Sequence, residues 1–295
     1  MSGEYQIGAR GFLAPPQAPG LYIVATPIGN LRDITIRALE TIAGCDILAC
    51  EDTRMTRRLL DRYAINQKLI AYHEHNADKA GAEIMMALDA GKSVALVSDA
   101  GTPLISDPGY RLVHEARGAG YDVFAVPGPS ALIAALSVSG LPTDDFRFCG
   151  FLPTKVKARA DRLTSLLNAT STLIFYESPA RLTKTLSTIV ETMGSARAVV
   201  VARELTKRFE TIVSGTAADV ATHFEADPPK GEIVILIEPA EPTLVEYSQE
   251  ELDNLLVGLA KQMPASKAAK TASEQTGLPK SGLYQRLVEM KDVDG

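Results

Sequence analysis

Cysteine and histidine are scarce in this 295-residue chain, with three of the former and four of the latter. Cys45, Cys50 and Cys149 are odd in number and lack the paired short spacings of a zinc site or a redox motif, which points to a reducing compartment and plain buried thiols. His73 and His75 share one side of an expected strand end but have no third ligand near them, so no metal is expected. A basic excess is missing too: the formal net charge of -6 excludes a protein that coats nucleic acid indiscriminately, and leaves local patches for any such contact. No membrane-spanning run is present either. Residues 123–143 carry no charge, but Pro127, Gly128, Pro129 and three serines interrupt them, which reads as strand, turn and buried helix. The first 20 residues hold Arg10, Pro15, Pro16 and Pro19 without a continuous apolar segment, so no secretory signal is expected and 1–19 reads as a flexible tail. Internal repeats and low-complexity tracts are absent from the sequence.

What is there is an alternation of apolar runs and amphipathic segments, with 46% hydrophobic residues and enough length for two domains. Strands are expected at 21–26, 47–50, 68–72, 94–97 and 122–126, with helices at 33–43 (capped by Asp33), up to Tyr63, at 78–90, at 110–119 and up to Ser139. Polar turns follow Thr26, Val97 and Val126, and in a doubly wound parallel sheet they would lie along one edge. The central turn, SDAGTPLISDPG at 98–109, leaves a strand end and opens a helix, as ligand-binding loops of open α/β sheets do. It lacks the G-x-x-x-x-G-K pattern of a phosphate cradle, and its only charges, Asp99 and Asp107, would repel a polyphosphate. The loop suits a neutral or cationic ligand.

Gly140-Leu141-Pro142-Thr143 marks a boundary beyond which the element order changes, with mixed strand pairing expected in a second α/β domain. EPAEP at 238–242 is a linker by composition, and three helices follow at 248–263, 266–276 and 281–290. Thr276-Gly277-Leu278-Pro279 forms a turn around which Ala268, Ala269, Leu283, Tyr284 and Leu287 could pack as a helix-turn-helix. The expected division is a 1–19 tail, a 20–141 α/β domain with the loops, a 142–240 α/β domain and a 241–295 helical module.

Eight motifs occur in order: TPIGN at 26–30, EDTR at 51–54, SDAGTPLISDPGY at 98–110, PGPSA at 127–131, SGLPT at 139–143, GFLP at 150–153, FYESP at 175–179 and RELTKRFE at 203–210. Together they resemble the small-subunit ribosomal RNA methyltransferases of the tetrapyrrole methylase fold family, from about Leu21 to Ile237 and more weakly into the terminal helices. The resemblance implies two α/β domains with S-adenosylmethionine in the cleft between them, a homodimer in the cytoplasm, and 2′-O-methylation of a cytidine ribose in 16S rRNA or the 30S subunit. Carried onto this chain, it implies a cofactor site of Pro27, Asp99, Ala100, Gly101, Thr102, Ile105, Ser130 and Ala131, closed on the adenine side by Tyr176, Ala202 and Glu232. A sulfonium is cationic, so acidic turns are compatible with it.

A ribose hydroxyl needs its proton accepted, and Glu177, Glu204, Glu51, Asp52 and a desolvated Lys207 sit at expected strand ends as candidate bases, with Arg203 beside them. Each has an alternative role in a salt bridge to Arg54, Arg181 or Arg203. For RNA contact the basic cluster Lys155, Lys157, Arg159 and Arg162 could grip phosphates, as could Arg54. In the terminal module Lys261, Lys267, Lys270, Lys280, Arg286 and Lys291 surround the turn, with Tyr284 available to stack on a base. A solvated helix face or a packing element is the plain alternative for each cluster. Two rival functions stay open: a tetrapyrrole carbon methyltransferase of the same fold, and a non-enzymatic RNA-binding protein that senses the cofactor.

Overall fold

The computed structural model describes residues 3–241 and 248–293. It divides into two compact units, Met1–Pro239 and Ala240–Gly295. The larger one begins with β1 (Glu4–Ile7) and β2 (Arg10–Leu13), an antiparallel hairpin where a flexible tail was expected. Tyr5 explains the difference. It is 3% exposed and stacks on Phe12 with ring centroids 5.3 Å apart, while the Gln6 amide donates to the Tyr63 carbonyl at 2.7 Å. One buried aromatic offsets the cost of ordering about a dozen residues only because the hairpin also satisfies its own backbone groups.

The first sheet contains β3 (Gly20–Val24), β4 (Ile47–Cys50), β5 (Leu69–Ala71), β6 (Ser93–Val97) and β7 (Val123–Val126), in the order β5-β4-β6-β3-β7 and parallel throughout. Side chains alternate across it. Tyr22, Val24 and Leu48 pack with Leu39, Ile42 and Leu60 of α1 (Ile36–Gly44) and α2 (Thr53–Arg62), whereas Leu21, Val94 and Leu96 pack with Ile84 and Leu112 of α3 (Ala77–Asp89) and α4 (Tyr110–Gly118). Helices on both faces make the sheet doubly wound, and every strand ends at the same edge. Helix α1 starts later than expected, because Asp33 belongs to a short 3-10 turn and Thr35 is the cap, accepting from the Ala38 amide at 3.1 Å.

The second sheet contains β8 (Phe146–Phe151), β9 (Thr172–Glu177), β10 (Ala198–Arg203), β11 (Thr211–Thr216) and β12 (Ile233–Ile237), in the order β11-β10-β12-β9-β8. Its pairing is mixed, with only β8 and β9 parallel. Phe175, Val199 and Ile235 face α6 (Val156–Thr164), α7 (Pro179–Met193) and α8 (Ala217–Ala226), and Ile174, Val200 and Leu236 face α5 (Ala131–Ser139). Although α5 follows β7 of the first sheet in sequence, its buried Leu132, Ala135 and Leu136 pack on the second. That helix joins the two halves behind the cleft. Each fully buried Leu, Ile or Phe here is worth about 1.5–3 kcal/mol relative to exposure, so the junction is not loose.

In the smaller unit, α9 (Gln249–Ala260), α10 (Ala265–Thr276) and α11 (Lys280–Val293) close around Leu256, Ala268, Ala269, Ala272, Leu283 and Leu287. Gly277 (φ +73°) takes the left-handed turn between α10 and α11. Tyr284, expected in this core, is 44% exposed, because Leu283 and Leu287 already fill the buried i, i+4 positions. Pro242 of the expected linker and the Lys291 side chain lie outside the described residues.

Candidate functional site

Three loops leave the carboxyl edge of the first sheet and are tied to one another. Thr26 and Gly101 exchange backbone hydrogen bonds of 2.8 and 3.0 Å, and the Thr102 hydroxyl donates to the Pro129 carbonyl at 3.3 Å. The central loop holds Leu104 at φ +74° and Ser106 at φ +66°, and the facing loop after β10 holds Glu204 at φ +53° and Thr206 at φ +65°. Left-handed backbone at non-glycine residues persists where surroundings force it and gathers at ligand sites. The Asn30 amide donates to the Thr206 hydroxyl at 3.2 Å, so these loops also clasp each other across the two halves.

Between them lies a cleft of about 370 Å³, within the range of small-molecule sites. The first sheet supplies Ala100, Gly101, Thr102 and Ile105 to its lining, and the start of α5 supplies Ser130 and Ala131. The second sheet supplies Tyr176, Ala202 and Glu232. Nine of the expected cofactor residues, drawn from five stretches of sequence, thus meet on one cleft. Asp99 and Pro27 do not join them; they line an adjoining cavity of about 310 Å³, which shares Ile28, Ala100 and Glu232 with the first. Ser130 makes no side-chain cap on α5, leaving first-turn amides that an anion can use. Phe148 and Phe151 set ring edges against Tyr176 at 4.8 and 5.8 Å. Burial pushes the Tyr176 phenol up, and the Leu132 backbone against it works the other way.

Asp107, Ile28, Phe151, Leu205 and Gly231 also line the first cleft, none of them among the expected cofactor residues. Asp107 was visible as a loop charge, and its signal was its place in a Gly/Pro-rich turn. Phe151 and Gly231 carried none, because only the packing of the second sheet against the loops brings them there. Burial raises the proton affinity of Asp107, and the neighbouring Asp99 adds to the rise while the Ser98 hydrogen bond lowers it. Asp99 and Glu51 are also raised, chiefly by burial, and for Glu51 by Asp107 and Asp99 as well.

The expected bases fare differently. Glu177 has a side chain 0% exposed, accepting from the Ser178 amide at 2.8 Å and the Thr185 hydroxyl at 2.7 Å and pairing with the Arg181 Nε at 3.1 Å. Both of its oxygens are occupied, although Glu177 also lines the first cleft. Lys207 lies 2.8 Å from Glu204 and 3.2 Å from Glu232. Burial alone would lower its pKa, but the hydrogen bonds and charges of those two carboxylates outweigh it and raise it, so Lys207 stays an ammonium. The Lys207 hydrogen bond in turn holds Glu204 below its ordinary value. Arg203 donates to the Phe209 carbonyl at 3.2 Å and lines neither cavity, so it braces the loop after β10. Asp52 caps α2 and is gripped by Arg54 at 2.7 Å, whose hydrogen bonds lower its pKa to about 2.

Among the expected RNA residues, Lys155 and Lys157 are exposed, Arg162 is half-buried and Lys280 is exposed. Arg159 is not available: it is 3% exposed and donates to the Thr188 hydroxyl at 3.0 Å between α6 and α7. Arg286 is committed to Asp253, 3.0 Å away on α9. Cys45 and Cys50 are buried, with the Cys45 thiol pushed up to about 12 by burial, whereas Cys149 is half-buried instead of buried. Among the described residues no group of three His, Cys, Asp or Glu side chains could hold a metal ion, and no helix is long and apolar enough to cross a membrane.

Residues 20–221 match the Tetrapyrrole (Corrin/Porphyrin) Methylases, and residues 246–291 match the RsmI C-terminal HTH domain. The ribosomal RNA small subunit methyltransferase I of Mesorhizobium japonicum is 55% identical over 100% of this chain and 98% of its own length. Its counterpart from Vibrio cholerae is 47% identical over 92% and 95%, and that from Escherichia coli O157:H7 is 45% identical over the same shares. Among solved structures, the methyltransferase CobJ superimposes with a TM-score of 0.58 at 18% identity over 76% of this chain and 95% of its own. Cobalt precorrin-4 methyltransferase, CbiF, does so at 0.57 and 19%, over 74% and 94%. At such identities these two structures speak for the fold alone. The chain therefore belongs to the tetrapyrrole methylase family, in the branch formed by the ribosomal RNA small subunit methyltransferases I.

Proposed function

We propose that this protein is an S-adenosylmethionine-dependent methyltransferase that places a methyl group on the 2′-hydroxyl of a cytidine in 16S rRNA, acting on the RNA or on the 30S subunit. The observation that carries it is that a chain 55% identical, end to end, to a ribosomal RNA small subunit methyltransferase I also gathers nine expected cofactor residues on one cleft. The site fits the group by its donor set. Uncapped amides at the start of α5 suit the cofactor's carboxylate, Asp107 and Glu232 suit a sulfonium, and the Phe151 and Tyr176 rings suit an adenine. When bound, S-adenosylmethionine supplies an electrophilic methyl group.

The chain's own residues then position and exclude. Gly101, Thr102 and Ile105 would hold the methionine end, Tyr176 and Ala202 would close the adenine side, and the clasp between Asn30 and Thr206 keeps both halves in register. With Glu177 and Lys207 held in ion pairs and Arg203 hydrogen-bonded to the Phe209 carbonyl, Asp99, Asp107 and Glu51 are the better proton acceptors, since burial has raised their affinity. Lys155, Lys157 and Arg162 are positioned for phosphates, and Lys280 and Tyr284 on α11 for RNA in the terminal module. The tetrapyrrole methyltransferases are relatives in fold only, at 18–19% identity. The cytoplasm, where small subunits are made, is the expected compartment. A homodimer is the expected state, and light scattering on the purified protein reads it as twice 31.6 kDa.

The test is transfer of a labelled methyl group from S-adenosylmethionine to 30S subunits, with protein-free 16S rRNA in parallel and nuclease digestion to locate the label. The expected product is a 2′-O-methylcytidine. Intact cofactor binding with no transfer to either RNA overturns the reading.

A further inference from the structure

We propose that the second cavity receives the acceptor nucleotide and that the arginine face of α2 leads the RNA strand to it, an inference that rests on the methyl-transfer reading above. The cavity adjoins the cofactor cleft along Ile28, Ala100 and Glu232, so a group seated in it has one short path to a methyl donor in the other. Its walls are mainly apolar, with Pro27, Ile28, Leu31, Met55 and Leu59 among them, which suits a flat base. Its charged lining is Asp99, the Lys207–Glu232 pair at 3.2 Å and, on the α2 side, Arg58, so Asp99 offers an acceptor to a base edge that carries an amino donor and Arg58 a cation to a phosphate. Base and ribose therefore enter, with the phosphates on the Arg58 side.

Outside is α2, which forms one side of the cavity through Met55, Thr56, Arg58 and Leu59. Arg54, Arg57, Arg58 and Arg62 are all exposed on it, and the spacing 54, 58, 62 sets three of them in one row, one helical turn apart. Asp61 is the helix's one acid. Arg54 is held by Asp52 at 2.7 Å, whereas Arg57, Arg58 and Arg62 form no ion pair among the described residues. On a chain with net charge -6, a helix face of four guanidinium groups, three of them without an ion pair, leading to the mouth of a cavity is matched by a polyanion whose monomers carry flat bases. Thr56, Leu59 and Leu60 bury the opposite side of α2, so the row is held rigidly.

The experiment compares wild type with the double variant Arg57→Glu/Arg58→Glu, with Met55→Trp, and with Lys92→Glu. The last applies a charge reversal at the amino end of β6, away from the site. Three quantities are read: methyl transfer to 30S subunits, the affinity for a 16S rRNA fragment by anisotropy over roughly 50 to 200 mM salt, and the affinity for S-adenosylmethionine by calorimetry. The double variant should raise KM for 30S by about tenfold or more and flatten the salt slope by roughly 0.7–0.9 per lost phosphate contact. Met55→Trp fills the cavity and should abolish transfer. Cofactor affinity, unchanged in both, shows that each variant folds. Arg57→Glu/Arg58→Glu with KM and salt slope equal to those of Lys92→Glu overturns the α2 path, and full transfer by Met55→Trp overturns the cavity assignment, while the function stands in either case. Wild type that transfers no methyl overturns the function, and a salt slope flattened in Arg57→Glu/Arg58→Glu then keeps the α2 face as an RNA surface.

Discussion

Replacing Glu177 by glutamine separates a brace from a base. In the structure its carboxylate is fully buried and ion-paired with Arg181 at 3.1 Å, and it also accepts from the Ser178 amide and the Thr185 hydroxyl. Glutamine is nearly the same size, but it removes the charge and turns one acceptor into a donor facing groups that themselves donate. Breaking one side of a buried pair costs about 3–5 kcal/mol. Arg181 keeps 24% of its side chain in solvent, so about 2–3 kcal/mol is the expected loss here. For a unit of this size that lowers Tm by about 5–10 °C. Urea denaturation followed by circular dichroism, alongside the pH profile of methyl transfer at low temperature, makes the measurement. The expected outcome is a shifted midpoint with the pH profile of the remaining activity unchanged. An unchanged midpoint with kcat reduced by about 100-fold or more would refute the reasoning and restore Glu177 as a base.

Three other outcomes follow from the same geometry. Burial raises the Asp107 pKa, so the folded state binds a proton more tightly than the unfolded chain and stability falls as pH rises through that window; Asp107→Asn should raise the ligand-free Tm at pH 7 while weakening S-adenosylmethionine binding, and a lowered Tm would count against this. Gly231 sits at φ +87°, and an added Cβ would run into the Glu204 carboxylate, so Gly231→Ala should cost about 2–4 kcal/mol through backbone strain and displacement of Glu204 from Lys207, read by chemical denaturation. Tyr5→Ala should destabilise by about 3 kcal/mol and open residues 4–13 to limited proteolysis, whereas equal protease resistance would mean that the hairpin does not depend on that ring.

Much was legible in the sequence because local rules govern it. Apolar runs alternating with amphipathic helices require a parallel, doubly wound sheet, and the turns after Thr26, Val97 and Val126 then share an edge. The ordered motifs led to the family, and the glycines and prolines of 98–109 led to the loop. What the sequence left open depends on partners far along the chain. Glu177 and Arg159 look like any acid at a strand end or base on a helix, and only the approach of Thr185, Arg181 and Thr188 buries them. Tyr5 lies in a stretch rich in turn residues, and its place comes from Phe12, the core it enters and the bond of the neighbouring Gln6 amide to the Tyr63 carbonyl. The side of α5 that packs, the union of nine residues on one cleft and the second cavity beside it come from how one sheet is set against the other. Periodicity constrains a residue to a face; what that face meets is decided by tertiary packing, and charge and reactivity follow from the meeting.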